Sequence, residues 1–405
     1  MYDALGRDSV HPFPARMAPT IALEVLENSK RPLRILDPMM GSGTVIALAR
    51  ANGHQARGID IDPLAVLLSK VWTTAVDIEH INTVAKNVLA IAEKSFPNMP
   101  LEKAYPIESD DETKEFIDYW FDPIVRRQMT SLSNAILAVE DEDERDVLWC
   151  ALSRLIIVKS SGVSLAMDLS HSRPHRVYEE APVRPFDKFL PMVLKVTKSC
   201  LDKKDKARGP VAKVARGDAR KLPIRKSSID IVLTSPPYLN AIDYMRCSKF
   251  SLVWMGYKIG ELRKLRTDSI GSELSSGIAN EDESVKLVVK GLNLQPRLTT
   301  RNQAILSRYI YDMTSSIKEV ARVLVPNGKA IYVVGENTIK GTYIRNSVVM
   351  EIVAKQVGLA LTEKKVRILP ANRRYLPPPT KRSSKASMDA RMRREVVMTF
   401  TKLAI

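Results

Sequence analysis

Cysteine is scarce in this chain of 405 residues: Cys150, Cys200 and Cys247 stand singly and far apart. With no CxxC pair, a disulfide framework and a zinc ribbon are both excluded, and a reducing compartment fits. Long hydrophobic runs are missing too, since no stretch of about 18 apolar residues is available to span a bilayer. The opening "MYDALGRDSVHPFPARM" lacks the basic-then-apolar order of a secretory signal. The expectation is a soluble, cytoplasmic protein with no membrane contact. Acidic residues are in deficit, 46 against 62 Lys and Arg, which gives a net charge of +16 and a pI near 9.6. Such an excess favours a polyanionic partner, most simply nucleic acid, over a merely basic surface. No Gly-Lys-Ser/Thr follows the glycine pair at 41 and 43, so a Walker loop is absent. Apolar content of 45% and charged content of 27% are ordinary for a chain with a substantial core.

The length suits one large α/β domain with insertions, or two domains. "MAPTIALEVLENS" (17–29) has helical spacing after a proline start. "LRILD" (33–37) reads as a buried strand, "GSGTVIALARANG" as a glycine turn opening a helix, and "QARGIDIDPLAVLLSKVWTTAV" as a second strand, an acidic tip and another helix. Strand, glycine turn, helix and acid-ended strand make the first half of a Rossmann-like sheet. The alternation divides the chain into residues 1–78, a mainly helical insertion over 79–200, a return to the sheet over 201–256, a second insertion over 257–305 and closing strands over 306–405. "VAKVARGDA" is read as the third strand, "SIDIVLTSPPY" as the fourth and "VPNGKAIYVVGEN" as a turn and the fifth. The second insertion shows little periodicity, whereas "SRYIYDMTSSIKEVARVL" is an amphipathic helix. Two strand-like runs around a Pro- and Arg/Lys-rich loop close the chain as a hairpin.

Two stretches carry chemistry. In "DPMMGSGT" (37–44), Gly41 and Gly43 permit a tight turn and close approach to a ligand, and the next helix offers free N–H groups. Asp60 follows Gly41 at the distance where a second-strand acid grips ribose hydroxyls. By itself the loop is equally a capping motif. In "TSPPY" (234–238), two prolines halt the strand because neither has an N–H to donate. They also force Ser235 to be extended. The product is a stiff elbow bearing a hydroxyl, two carbonyls and an aromatic ring, at the strand end where open α/β sheets bind ligands.

These stretches resemble the S-adenosylmethionine-dependent amino-group DNA methyltransferases. "DPMMGSGT" is similar to their motif I, "GIDIDPLA" to motif II, "RGDARKLP" to motif III, "TSPPY" to motif IV and "HPFPARMAP" (11–19) to the motif X that precedes them. The matching pieces cover residues 11–70, 210–255 and 305–340, and both insertions fall outside. Met39 departs from the usual aromatic, and Arg16 and Met17 from a Lys-Phe pair. The resemblance implies a Rossmann-like class I methyltransferase sheet with helices on both faces, plus the helical insertion.

It also implies roles. Asp37, Pro38, Gly41, Gly43 and Thr44 would form the cofactor loop, with Asp37 facing the methionine ammonium. Asp60 would hold the ribose, Asp218 the adenine amine, and Phe13 with Pro14 would close over the cofactor. Ser235, Pro236, Pro237 and Tyr238 would be catalytic. Ser235 Oγ and the Pro236 carbonyl would accept the two N–H bonds of an exocyclic base amine, and Tyr238 would stack on a flipped base. SPPY resembles the cytosine-N4 enzymes more often than the adenine-N6 enzymes, so cytosine is favoured. His171, Arg173, His175 and Arg246, with Arg373 and Arg374 in the basic C-terminal loop, are expected nucleic-acid contacts. A solvated polar loop or basic face is the plain alternative for these six. Partners would be double-stranded DNA and a candidate restriction endonuclease, with no metal required and the oligomeric state open. An RNA base-amine methyltransferase and a catalytically silent nucleic-acid-binding subunit are the rival readings, and either insertion is a candidate target-recognition region.

Overall fold

The structure is a computed structural model that describes all residues except 1, 14–16, 28, 30, 170–173, 205–208, 240–244, 273–281, 295–297, 340–341, 369–393 and 405. Helix α1 (Pro19–Leu26) precedes strand β1 (Arg34–Asp37), whose last three residues are buried. Gly43, at φ 84°, turns the chain into α2 (Thr44–Ala51). Strand β2 (Gln55–Asp60) then leads to α3 (Pro63–Thr73). Asp62 caps α3 by accepting from Leu64 N at 2.9 Å, and Pro63 occupies the first turn, where its missing N–H costs nothing.

Five helices follow: α4 (Ile78–Ser95), α5 (Asp111–Trp120), α6 (Pro123–Leu137), α7 (Glu142–Ile156) and α8 (Pro185–Thr197). Aspartates 77, 110, 122 and 141 cap the first four. Strands β3 (Lys213–Arg216) and β4 (Ile229–Thr234) return to the sheet. After α9 (Met245–Leu252) come α10 (Ile259–Asp268), α11 (Glu283–Leu292) and the long α12 (Thr300–Val323). Strand β5 (Leu324–Gly335), helix α13 (Asn346–Gln356) and strands β6 (Leu359–Ile368) and β7 (Arg394–Lys402) complete the chain.

The seven strands are ordered β6-β7-β5-β4-β1-β2-β3. β5, β4, β1, β2 and β3 run parallel, and β7 is antiparallel to both β5 and β6. Sheet order reverses between β1 and β4, the position at which doubly wound sheets open a ligand crevice. Alternate side chains serve opposite faces. Ile35, Leu233, Ile331 and Val333 pack with α1 and α2, while Leu36, Val232, Tyr332 and Val334 pack with α11, α12 and α13. The expected α/β architecture with helices on both faces is present.

Two features differ from the sequence expectation. The 257–305 stretch is substantially helical rather than aperiodic. In α11, Val285, Val288 and Leu292 fall on one buried stripe, and Asp282 caps the helix. That short period is hidden in sequence by Gly and Ser on either side. Helix α12 also begins at Thr300, a turn or two before its apolar stripe becomes obvious, with Thr299 as cap. The helices of the first insertion share one core with α3 and α9, including Trp72, Phe250 and Trp254, so they are not a detached body. Among the described residues, no helix is long and apolar enough to cross a membrane.

At the amino end of β4, Asp230 ties this strand to β1. It accepts from Arg34 N at 2.8 Å, Arg34 Nε at 2.9 Å and Arg34 Nη2 at 3.0 Å. The Arg34 guanidinium holds the carboxyl down at about 2. Its stabilisation is therefore present above the ordinary carboxyl range and lost as pH falls through about 2. Asp230→Asn is expected to lower the unfolding free energy by about 1.5–3 kcal/mol at pH 7, the range for hydrogen bonds to charged groups, as read by urea denaturation.

Candidate active site

The carboxyl ends of β1 and β4 meet at the switch point, and a hydrogen bond joins them. Thr234 Oγ1 donates to Asp37 Oδ1 at 2.7 Å, and Met39 N donates to the same oxygen at 3.1 Å. Both residues are buried, Thr234 fully and Asp37 to within 3%. The first residue past β4 is Ser235, so this bond sets the spacing between the glycine loop and the proline elbow.

The loop after Asp37 is built by two glycines in the left-handed region, Gly41 at φ 50° and Gly43 at φ 84°. A side chain at Gly43 would also strike Ser69 Oγ of α3, only 2.5 Å from a Cβ at that position. Ser69 Oγ in turn donates to Gly41 O at 3.0 Å, which pins the loop from behind. From β2, Asp60 Oδ2 accepts from Gly41 N at 2.8 Å and Oδ1 from Asp62 N at 2.9 Å. Phe13 is buried beside the loop, its Cε1 3.8 Å from where a Cβ on Gly41 would lie.

Charge at this loop is unbalanced. Burial pushes the carboxyls of Asp37 and Asp60 up to about 7, and the Asp37 group is raised further by its neighbour Asp60. Among the described residues no cationic side chain offsets either shift. Thr44 Oγ1, at the start of α2, is buried without a hydrogen-bond partner among the described residues. Paired acids lacking a cation, an unsatisfied hydroxyl and glycines that leave room at the helix start suit an elongated ligand carrying positive charge. S-adenosylmethionine, with its ammonium and sulfonium, meets that description.

The elbow is fixed by its neighbours. Ser235 Oγ donates to Val333 O of β5 at 3.1 Å, and Tyr238 OH donates to Glu395 Oε1 of β7 at 3.3 Å. Pro236 and Tyr238 are buried, while Ser235 and Pro237 are partly exposed. Asn337 Nδ2 bonds Leu239 O just beyond the elbow, and Asn346 Nδ2 holds Asn337 Oδ1 at 3.0 Å. The turn at Gly271 covers the elbow, since a Cβ there would lie 3.4 Å from Tyr238 O.

The remaining candidates are placed unevenly. Asp218 stands just past β3, but Arg220 occupies both its oxygens, with Nη2 at 2.7 Å from Oδ2 and Nε at 3.0 Å from Oδ1. Arg220 also donates to buried Asp312 of α12 at 2.8 Å and to Asp268 O at 2.6 Å. Arg246 opens α9 and is partly buried, and His175 is exposed. Pro14, His171, Arg173, Arg373 and Arg374 lie outside the described residues. Sequence reasoning missed Thr234, Ser69, Val333 and Glu395. Their contributions are contacts between distant strands and helices that no local spacing signals. Ser248 was missed for the same reason: its Oγ donates to Asp62 Oδ2 at 2.7 Å and ties α9 to the acidic tip of β2.

No family model matches the chain. It is 24% identical to the Type II methyltransferase M.MvaI of Kocuria varians over 376 residues, covering 86% of this chain and 81% of that protein. It is 22% identical to the Type II methyltransferase M.AvaI of Nostoc sp. (84% of this chain, 75% of the relative) and 23% identical to M.BsoBI of Geobacillus stearothermophilus (62% and 52%). Among solved structures, a PvuII DNA methyltransferase described as cytosine-N4-specific overlays 46% of this chain and 47% of its own at a TM-score of 0.27 and 18% identity, too partial a match to bear on the assignment. Motif-bearing residues thus gather at the switch point, and the chain is similar along most of its length to proteins described as Type II methyltransferases.

Proposed function

We propose that this protein methylates an exocyclic base amine in duplex DNA, cytosine N4 in preference to adenine N6, on a base flipped out of the helix. The observation that carries the reading is the Thr234–Asp37 hydrogen bond, which sets the proline elbow directly beside the acidic glycine loop. S-adenosylmethionine supplies a methyl group on a cationic sulfur when bound. Asp37 would face its ammonium, Asp60 its ribose, and Thr44 Oγ1 would gain the partner it lacks. Phe13 would cover the ligand. Asp218 would reach the adenine amine only beside, or in exchange for, its pairing with Arg220.

An exocyclic amine is a poor nucleophile because its lone pair is delocalised into the ring. Ser235 Oγ donates its hydrogen bond to Val333 O, so its lone pairs are left to accept. Ser235 Oγ and the Pro236 carbonyl would take the two amine N–H bonds, letting the nitrogen pyramidalise toward the methyl group. Rigid acceptors in a partly desolvated site make this a matter of positioning and electrostatics. The amine becomes acidic only as the methyl arrives, so no strong base is needed. Tyr238 would stack against the flipped base. A restriction endonuclease of the same specificity is the natural companion of such an activity.

Incubation of the purified protein with labelled S-adenosylmethionine, duplex DNA and total RNA, followed by nucleoside mass spectrometry, is expected to yield N4-methylcytosine in DNA. N6-methyladenine would overturn the choice of base, and label confined to RNA would overturn the choice of polymer. Ser235→Ala should retain cofactor affinity while kcat falls by about 10²-fold, in the range for loss of one preorganised polar contact. Equal turnover would remove Ser235 from the mechanism.

The raised carboxyls predict a pH signature in the ligand-free protein. Asp60 favours its protonated form when folded, so its contribution to stability is lost as pH rises from the ordinary carboxyl value of 3.8 to about 7. Asp60→Asn should therefore gain thermal stability relative to the parent between pH 4.5 and pH 7.5, measured by scanning calorimetry. A constant difference across that window would refute the assignment of strain to this acid.

A further inference from the structure

The first insertion was expected to be one of two candidate target readers. Its charge argues otherwise. Residues 79–200 hold 15 Lys and Arg against 20 Asp and Glu, in a chain whose net charge is +16. Residues 359–405 hold 12 against 3. A surface that follows a phosphate backbone has the opposite balance to the insertion.

Its contacts point to another task. The segment Val10–Phe13 carries the phenylalanine that lies against the glycine loop, and α7 holds this arm at Val10 and His11. Arg154 Nη1 donates to Val10 O at 2.6 Å, and Cys150 Sγ approaches the same oxygen at 3.8 Å. His11 Nε2 and Ser153 Oγ are hydrogen-bonded at 3.0 Å, and Ser153 Oγ donates to Ser251 Oγ of α9 at 2.8 Å. Upstream, Arg7 Nη1 donates to Trp72 O at 2.9 Å and Ser199 O at 2.6 Å, where the end of α3 meets the end of the insertion. Val10 and Phe13 belong to the insertion's own core cluster.

From this geometry we propose that the helical insertion is a clamp for the cofactor-covering arm, with Arg154 as its principal positioning residue, and that DNA reading lies outside it. The clamp rests on the methyltransferase reading above, since it acts through Phe13 on the cofactor loop. Arg154 touches neither cofactor nor DNA. It fixes the backbone three residues before Phe13, and the Ser153–Ser251 contact extends the same hold to the helix that follows the proline elbow.

The test uses the full chain and three readouts: calorimetric Kd for S-adenosylmethionine, the KM and kcat of methyl transfer, and the affinity for a fluorescent duplex of random sequence. Arg154→Ala is expected to raise the cofactor Kd and KM together by about tenfold, as loss of one charge-assisted hydrogen bond would. The value of kcat at saturating cofactor and the duplex affinity should stay within twofold. Arg154→Lys, which keeps a single cationic donor, should recover most of the loss. If Arg154→Ala fails to fold, Ser153→Ala carries the same expectation through His11. A lower melting temperature with an unchanged cofactor Kd would overturn the clamp and leave a structural role alone. Loss of duplex affinity would overturn it in favour of target reading. A parent protein that binds no S-adenosylmethionine would instead overturn the reading on which the clamp rests.

Discussion

One short contact organises the candidate site: the Thr234 hydroxyl on the Asp37 carboxylate, across the strands where the sheet reverses its order. The bond is buried: loss of the Asp37 carboxyl would take the acceptor from the Thr234 hydroxyl in a low-dielectric setting, and loss of Thr234 would leave Asp37 Oδ1 with the Met39 N–H. It brings together two loops that lie almost two hundred residues apart in the chain. Everything proposed for the elbow assumes that spacing, because Ser235 follows Thr234 directly and the glycine loop follows Asp37 directly.

Around this contact the protein concentrates acid in a basic molecule. Asp37, Asp60 and Asp62 stand at adjacent strand ends, and among the described residues Asp37 and Asp60 form no ion pair. Such an arrangement is costly in isolation and becomes favourable when a cation is bound. Perturbed carboxyls of this kind cluster at functional sites, and here they sit at the crevice that the sheet topology singles out. The basic excess is carried elsewhere, much of it on the closing strands and their connection.

The additions to the sheet are braces on this site. The second insertion covers the elbow through the turn at Gly271, and Arg220 ties the end of β3 to α12 and to the end of α10. The first insertion grips the arm carrying Phe13 and shares its core with α3 and α9. Tyr238 is anchored on β7, so the foot of the closing hairpin also fixes the aromatic of the elbow. Groups that would act on a ligand are thus held by elements from every part of the chain.

Much of this was legible in the sequence. The strand-glycine-helix-acid order, the two prolines at the end of β4 and the apolar stripe of α12 are local patterns, and each produced the element expected. The second insertion was not, because its helices are short and bordered by Gly and Ser, and their buried stripes are completed only by packing. Local pattern likewise nominated Asp37, Asp60, Gly41, Gly43 and Ser235, since loop and elbow chemistry is written in adjacent residues. Tertiary structure alone decided what holds them: Thr234 on Asp37, Val333 O accepting from Ser235 Oγ, Glu395 on Tyr238, Asp312 on Arg220 and Arg154 on the covering arm. Those partners are far apart in sequence and meet because the sheet brings their strands and helices together, a juxtaposition that no periodicity along the chain encodes.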